Sequence, residues 1–422
     1  MKKCIVIGGG FAGLSAAAFL INSGINVELI EASQKLGGRA YSFYDKYLDT
    51  IIDNGQHIMM GCYRETLRFF QLIGAADNLI YQKNLSVLFV KEGFKIFPLE
   101  AAKLFYPLNL VSALLKYRAI SFYDRVKLLK FFSKLYLFPD RDLEKMNVYD
   151  WLVQENQNEN LRKAFWEILA IGALNTNIKK ASAKVFSDIL KEIFLKGNKA
   201  ASIILPRFGL SETYCNHAKK FIEEKGGVVN LSEQILGFEI ADNNIKSIKT
   251  SRRLIKDFDS VISAVPPFAF KNIIPEKNNV PSFEYSSILS CHIKLKGQNN
   301  GRQFYGFINS KIHWVFNNGD HITVVISDAN GIIDESKEDL FEMISAELFK
   351  FLKIDRTDII SYKIVKEKRA TFIPSMELIS RRPRTETSFQ NLYLAGDWVD
   401  TKLPSTIESA VKSGRLAAKK IK

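Results

Sequence analysis

The sequence predicts an α/β protein with a parallel sheet, on three observations. Lys3–Ile7 is a short β-branched run, followed by a glycine-rich turn, an Ala- and Leu-rich stretch over 12–23 and a second apolar run, Asn26–Ile30. Strand, turn, helix and strand within about 30 residues make a βαβ unit, whose crossover is what parallel pairing demands. The alternation returns downstream: 210–224 reads as a helix leading through Gly226-Gly227 into a strand at 228–231, and a strand at 391–395 precedes a helix over 405–421. Finally, 422 residues are too many for one ordinary core and call for two domains or one elaborated unit.

Composition narrows the class. With 47% hydrophobic and 25% charged residues the chain is that of a folded globular protein, which argues against disorder, collagen and coiled coil. Four scattered cysteines, with no CxxC and no clustering with the five histidines, argue against a disulfide framework or a metal site and point to a reducing cytoplasm. The net charge of +14 fits either an anionic partner, such as a membrane surface, or a lysine-biased composition. No nucleic-acid motif accompanies it. Met1-Lys2-Lys3 before an uncharged stretch imitates a signal peptide, but the glycines at 8, 9, 10 and 13 and the lack of a small-residue cleavage site favour a first strand instead.

Gly8-x-Gly10-x-x-Gly13 follows a strand and opens a helix. In that setting the first glycine permits a tight turn, the second lets backbone approach a pyrophosphate and the third brings helix and strand together. The helix start then offers free N–H groups and a positive dipole end to the phosphates. Glu31, 18 residues past Gly13, ends the second strand where a carboxylate can accept both ribose hydroxyls. The prediction is a Rossmann-type dinucleotide domain. A separate stretch over 101–138 carries seven basic residues against one acid, Asp124, interleaved with nine aromatics. Helical spacing of Val126, Leu129, Phe132 and Tyr136 predicts an apolar stripe there, with lysines opposite.

Leu36-Gly37-Gly38-Arg39 resembles the second glycine-arginine motif of the flavin amine oxidase and phytoene desaturase superfamily, and Leu394-Ala395-Gly396-Asp397-Trp398 resembles its C-terminal GD motif. The resemblance implies non-covalent FAD, with Gly38 and Arg39 beside the diphosphate and Gly396 and Asp397 by the ribityl chain. It further places the backbone of Ile235 at the adenine and that of Ile407, at a helix start, against the pyrimidine edge of the flavin. No cysteine precedes Gly396 closely enough to suggest a cysteinyl link. The blocks Asp53-Asn54-Gly55-Gln56-His57, Gly61-Cys62-Tyr63 and 367–372, with the C-terminal tail, are similar to the hydroxysqualene dehydroxylase branch of that superfamily. That branch implies a long hydrophobic isoprenoid substrate, reductive loss of its hydroxyl by hydride from reduced flavin, and a place in squalene and hopanoid synthesis. His57, Tyr63 and Arg369 are the residues to test for assisting the hydroxyl's departure, each with a structural role as the competing reading. A carotenoid or isoprenoid desaturase is the alternative, a flavin amine oxidase the next. The expected location is cytoplasmic, with peripheral contact to an anionic membrane left open. The expected division is an FAD-binding domain in three segments, 1–85, 206–270 and 386–422. A substrate domain would then fill the gaps, helical and membrane-facing over 86–205 and strand-rich over 271–385.

Overall fold

The computed structural model describes residues 2–274, 280–297 and 303–421; parts of the segment expected over 271–385 therefore lie outside the described residues. Five parallel strands form the first sheet, in the order Val228–Asn230, Asn26–Ile30, Lys3–Ile7, Ser260–Ser263, Leu392–Leu394. Strands remote in sequence are thus neighbours in one sheet, so the domain is assembled from discontinuous segments.

The first helix, Phe11–Asn22, has no charged residue because it is covered on nearly every side. Ala16, Ala17 and Ala18 are fully buried between the sheet and the C-terminal helix Ile407–Lys420. The two helices touch backbone to backbone: a Cβ on Gly414 would fall 2.2 Å from the Ala12 carbonyl oxygen. Small residues on both partners are what that distance requires. Behind them, Phe11 stacks on Tyr214 at 3.8 Å between ring centroids.

The second region is a mixed seven-stranded sheet, ordered Ile359–Phe372, Tyr285–Leu295, Ile322–Ser327, Trp314–Asn317, Phe304–Phe307, Ser86–Lys91, Lys95–Glu100. Its pairs are antiparallel except for Phe304–Phe307 beside Ser86–Lys91. Helix Lys337–Leu352 packs on one face, over Leu289, Cys291 and Ile293. Helices of the 108–194 region cover the other, around Trp151, Trp166 and Phe131. The 86–205 segment, expected as helical, therefore opens with two strands, whose alternation puts Val87 and Phe89 on the helix side and Val90 on the opposite side.

The apolar stripe expected along 126–136 is corrected by one position. Helix Phe122–Ser133 buries Leu128 and Phe131, with Leu135 just beyond it, while Val126 and Tyr136 are exposed. Phe131 sets the rotation, sitting 4.9 Å from the Trp151 ring and 4.6 Å from that of Trp166. Tyr136 lies past the helix end, where helical spacing no longer applies.

Candidate active site

The turn between the first strand and helix presents backbone to a cavity. Gly8 adopts φ +105°, and a Cβ on Gly13 would fall 1.8 Å from the Gly8 carbonyl oxygen, so turn and helix can close only with glycine there. Gly10 caps the helix without a side-chain acceptor, leaving the first-turn N–H groups free for an anion. A second glycine loop presses onto it: Gly37 N–H donates to the Gly9 carbonyl at 2.8 Å, and Gly38 faces Gly10. Glu31, just past its strand, accepts from the N–H groups of Gly9 at 2.6 Å and Ser33 at 2.8 Å. Ile235 begins the antiparallel strand Ile235–Ala241 and lines the same cavity.

The C-terminal loop meets this cradle. Gly396 N–H donates to Ser413 Oγ at 2.7 Å, and Asp397 is buried, paired with Arg39 and accepting from Ser405. Burial works against the Asp397 charge, but the Arg39 guanidinium and these hydrogen bonds hold its carboxyl below the usual range. Arg39 also donates to the Ala370 carbonyl at 2.8 Å, tying together three remote segments. Ile407 opens the C-terminal helix after Thr406, whose side chain accepts from Ser409 N–H at 3.2 Å. The positive end of that helix is directed at the cavity.

One continuous cavity of about 1260 Å³ runs from the glycine loops into the second region, where Phe89, Phe165, Phe304, Trp314 and Phe316 make an apolar chamber. Gln56, His57, Tyr63 and Cys62 line the same cavity. His57 Nδ1 is 2.7 Å from the Gly55 carbonyl. A carbonyl only accepts, so the neutral ring carries its hydrogen on Nδ1 and presents Nε2 as an acceptor. Burial, helped by the Arg39 charge, pushes its pKa down to about 4, so His57 is neutral at pH 7. Burial pushes the Tyr63 hydroxyl well above its ordinary value. Arg369 does not join them: it is exposed, stacked over the Phe268 ring at 4.3 Å, and is not among the residues lining the cavity.

Several residues that shape the site were not read from the sequence. Buried Arg382 donates to the carbonyls of Asp397 at 2.7 Å and Leu403 at 2.6 Å, with further bonds to Trp398 and Val399. It thereby clamps the loop that carries Asp397. Glu408 accepts from the N–H groups of Glu65 and Thr66, both at 2.9 Å, and so caps helix Arg64–Leu72. The only sequence signal for Arg382 is a run of arginines before a strand, which reads as ordinary surface charge. Among the described residues no group of three or more His, Cys, Asp or Glu is placed to hold a metal.

The flavin containing amine oxidoreductase family model matches residues 11–422. The chain is 28% identical to a hydroxysqualene dehydroxylase of Zymomonas mobilis, over 99% of this chain and 98% of that one. A hydroxysqualene dehydroxylase of Sinorhizobium fredii is 27% identical, with 99% and 97% covered. An oxidoreductase structure from Methanosarcina mazei shares the fold, with a TM-score of 0.76 at 17% identity over 99% of this chain and all of that one. A family match over nearly the whole chain joins a glycine cradle that opens into an apolar chamber, and the chain belongs to the flavin containing amine oxidoreductase family.

Proposed function

We propose that the chain is an FAD-dependent oxidoreductase that removes the hydroxyl of hydroxysqualene reductively and yields squalene. The observation that carries this reading is the continuity of the glycine cradle with a large aromatic-lined chamber. A long isoprenoid is stabilised by contact with such apolar walls. The cradle fits FAD: the Gly8–Gly13 turn and Gly38 admit the diphosphate, Glu31 suits the ribose and Asp397 the ribityl chain. Ile407 brings a helix start to the pyrimidine edge, where it favours negative charge. FAD, when bound and reduced, supplies a hydride. The chamber walls exclude water from the reacting carbon and hold the chain against the flavin. The absence of a cysteine between Thr385 and Gly396 supports non-covalent attachment.

The same reading includes peripheral contact with an anionic membrane. No described helix is long and apolar enough to cross one. Among the described residues, however, nine of the large exposed apolar side chains fall within 104–137, Phe105 at 71% and Leu137 at 76% exposure among them. The one acid of that stretch, Asp124, is buried and accepts from Ser121 and Asn158, so the outward charge is all basic. Tyr136 belongs both to this surface and to the cavity lining. Aromatics seated at an interface beside lysines facing anionic headgroups give such a surface its partner.

Anaerobic incubation of the protein with reduced FAD and hydroxysqualene tests the activity. Squalene formed one-for-one with oxidised flavin supports it; flavin-loaded protein that makes none refutes it and turns attention to desaturation. Co-sedimentation with vesicles containing phosphatidylglycerol tests the membrane contact, which fails if binding is no greater than to neutral vesicles.

A further inference from the structure

A hydroxyl leaves carbon readily only as water, so the proposed reaction needs a proton delivered inside an apolar chamber. Eight carboxyl groups line the cavity, and seven are engaged. Glu31 and Glu408 accept backbone N–H groups, and Glu367 accepts that of Arg369. Glu65 pairs with Arg415, Asp188 with Lys184, Glu233 with Arg253 and Asp397 with Arg39. Glu192 alone has neither hydrogen bond nor ion pair among the described residues.

Its position suits the task. Glu192 lies in the last turn of helix Ala183–Phe194, half-buried, and its neighbours Ile189 and Ile193 line the cavity with it. Cys62, the residue before Tyr63, lines the same cavity. Burial pushes the Cys62 thiol up to about 12, with the negative charges of Glu408 and then Glu192 adding to the rise. Asp188, Lys191 and Lys196 of the same stretch also line the cavity, as do Arg64 and Lys412 from other segments, and Lys191 is 3.8 Å from Asp140.

We propose, resting on the dehydroxylase reading, that Glu192 is the acid that protonates the departing hydroxyl. The C–O bond breaks with its electron pair staying on oxygen, and that oxygen takes the Glu192 proton and leaves as water. The allylic carbon, left two electrons short, would be filled by the two-electron hydride that FAD, when bound and reduced, supplies. The Glu192 carboxylate regains a proton from solvent.

The test uses flavin-loaded Glu192→Gln and Glu192→Asp with reduced FAD and hydroxysqualene under anaerobic conditions. Glu192→Gln is expected to lower kcat by about 10²–10⁴-fold, with KM and FAD affinity little changed and the acid-favouring limb of the kcat–pH profile lost. Glu192→Asp should restore part of the rate. A readout independent of turnover is the pH dependence of Cys62 alkylation, which should move to lower pH in Glu192→Gln because a neighbouring negative charge is gone. Wild-type kcat and pH profile in Glu192→Gln would overturn the proposal, as would an unmoved Cys62 titration. If the wild type itself makes no squalene, the dehydroxylase reading falls and this role falls with it.

Discussion

The glycine cradle and the apolar chamber share one cavity but are held together by different means. Backbone sets the cradle: Gly13 lets the helix approach the turn to a distance no side chain would allow, and Gly8 and Gly38 adopt positive φ. Side chains do the work in the chamber, where Phe89 comes from one strand, Phe165 from a helix and Trp314 from a strand more than two hundred residues away from Phe89. Its wall is set by volume, so one apolar residue substitutes for another at modest cost. The contrast teaches where each kind of change should be felt: in the cradle as loss of cofactor, in the chamber as loss of stability or of substrate fit.

The largest effect is expected from Gly13→Val, because the new side chain would occupy the space of the Gly8 carbonyl. The protein should purify without flavin, seen as absent visible absorbance. Next comes Trp166→Ala, which empties the centre of the helical core and strands the Gln157 side chain that accepts from the indole at 2.9 Å. Denaturant unfolding should show a loss of about 3–5 kcal/mol, with flavin still bound under native conditions. Loss of flavin from this variant in its folded state would break the contrast between the two regions.

That contrast also explains what could be read in advance. Gly8, Gly10, Gly13 and Glu31 were legible because a backbone-built turn imposes residue type and spacing locally. The strands at Lys3–Ile7 and Asn26–Ile30 were legible for the same reason of local pattern. Phe89, Phe165 and Trp314 carried no such signal, since nothing in their own neighbourhoods says that they converge. Val126 was misread because the rotation of its helix is set by Phe131 against the rings of Trp151 and Trp166, and Tyr136 because it lies past the helix end. Arg382 was invisible because its partners are carbonyls, and any sequence supplies those.

Smaller effects sharpen the comparison. Arg39→Met removes the partner of buried Asp397 and should weaken FAD binding by about 2 kcal/mol, measured by flavin titration. Gly172→Leu places bulk against Trp314, whose ring lies 3.1 Å from where a Cβ would stand. It should raise KM for a long isoprenoid about tenfold, about 1.4 kcal/mol, and leave FAD affinity unchanged.

The smallest effect concerns Asp53, whose burial lifts its pKa to about 6 against an ordinary 3.8. The native state therefore holds this proton more tightly than the unfolded chain, and stability is lost as pH rises from about 4 to 6. Both partners, Ser42 Oγ at 2.6 Å and Leu210 N–H at 2.9 Å, donate to one oxygen, which asparagine retains. Asp53→Asn should stabilise the protein by on the order of 1 kcal/mol at pH 7 and by nothing at pH 4, measured as thermal midpoints. A variant less stable at pH 7 would contradict that sign.

The most direct test of the whole account follows the hydride. FAD reduced in D₂O carries deuterium at N5, and the protein is then mixed anaerobically with hydroxysqualene for a single turnover. The account predicts squalene with one deuterium, on the carbon that lost its oxygen, formed at the rate at which the flavin oxidises. Squalene without deuterium, or flavin oxidation with no squalene, would contradict it.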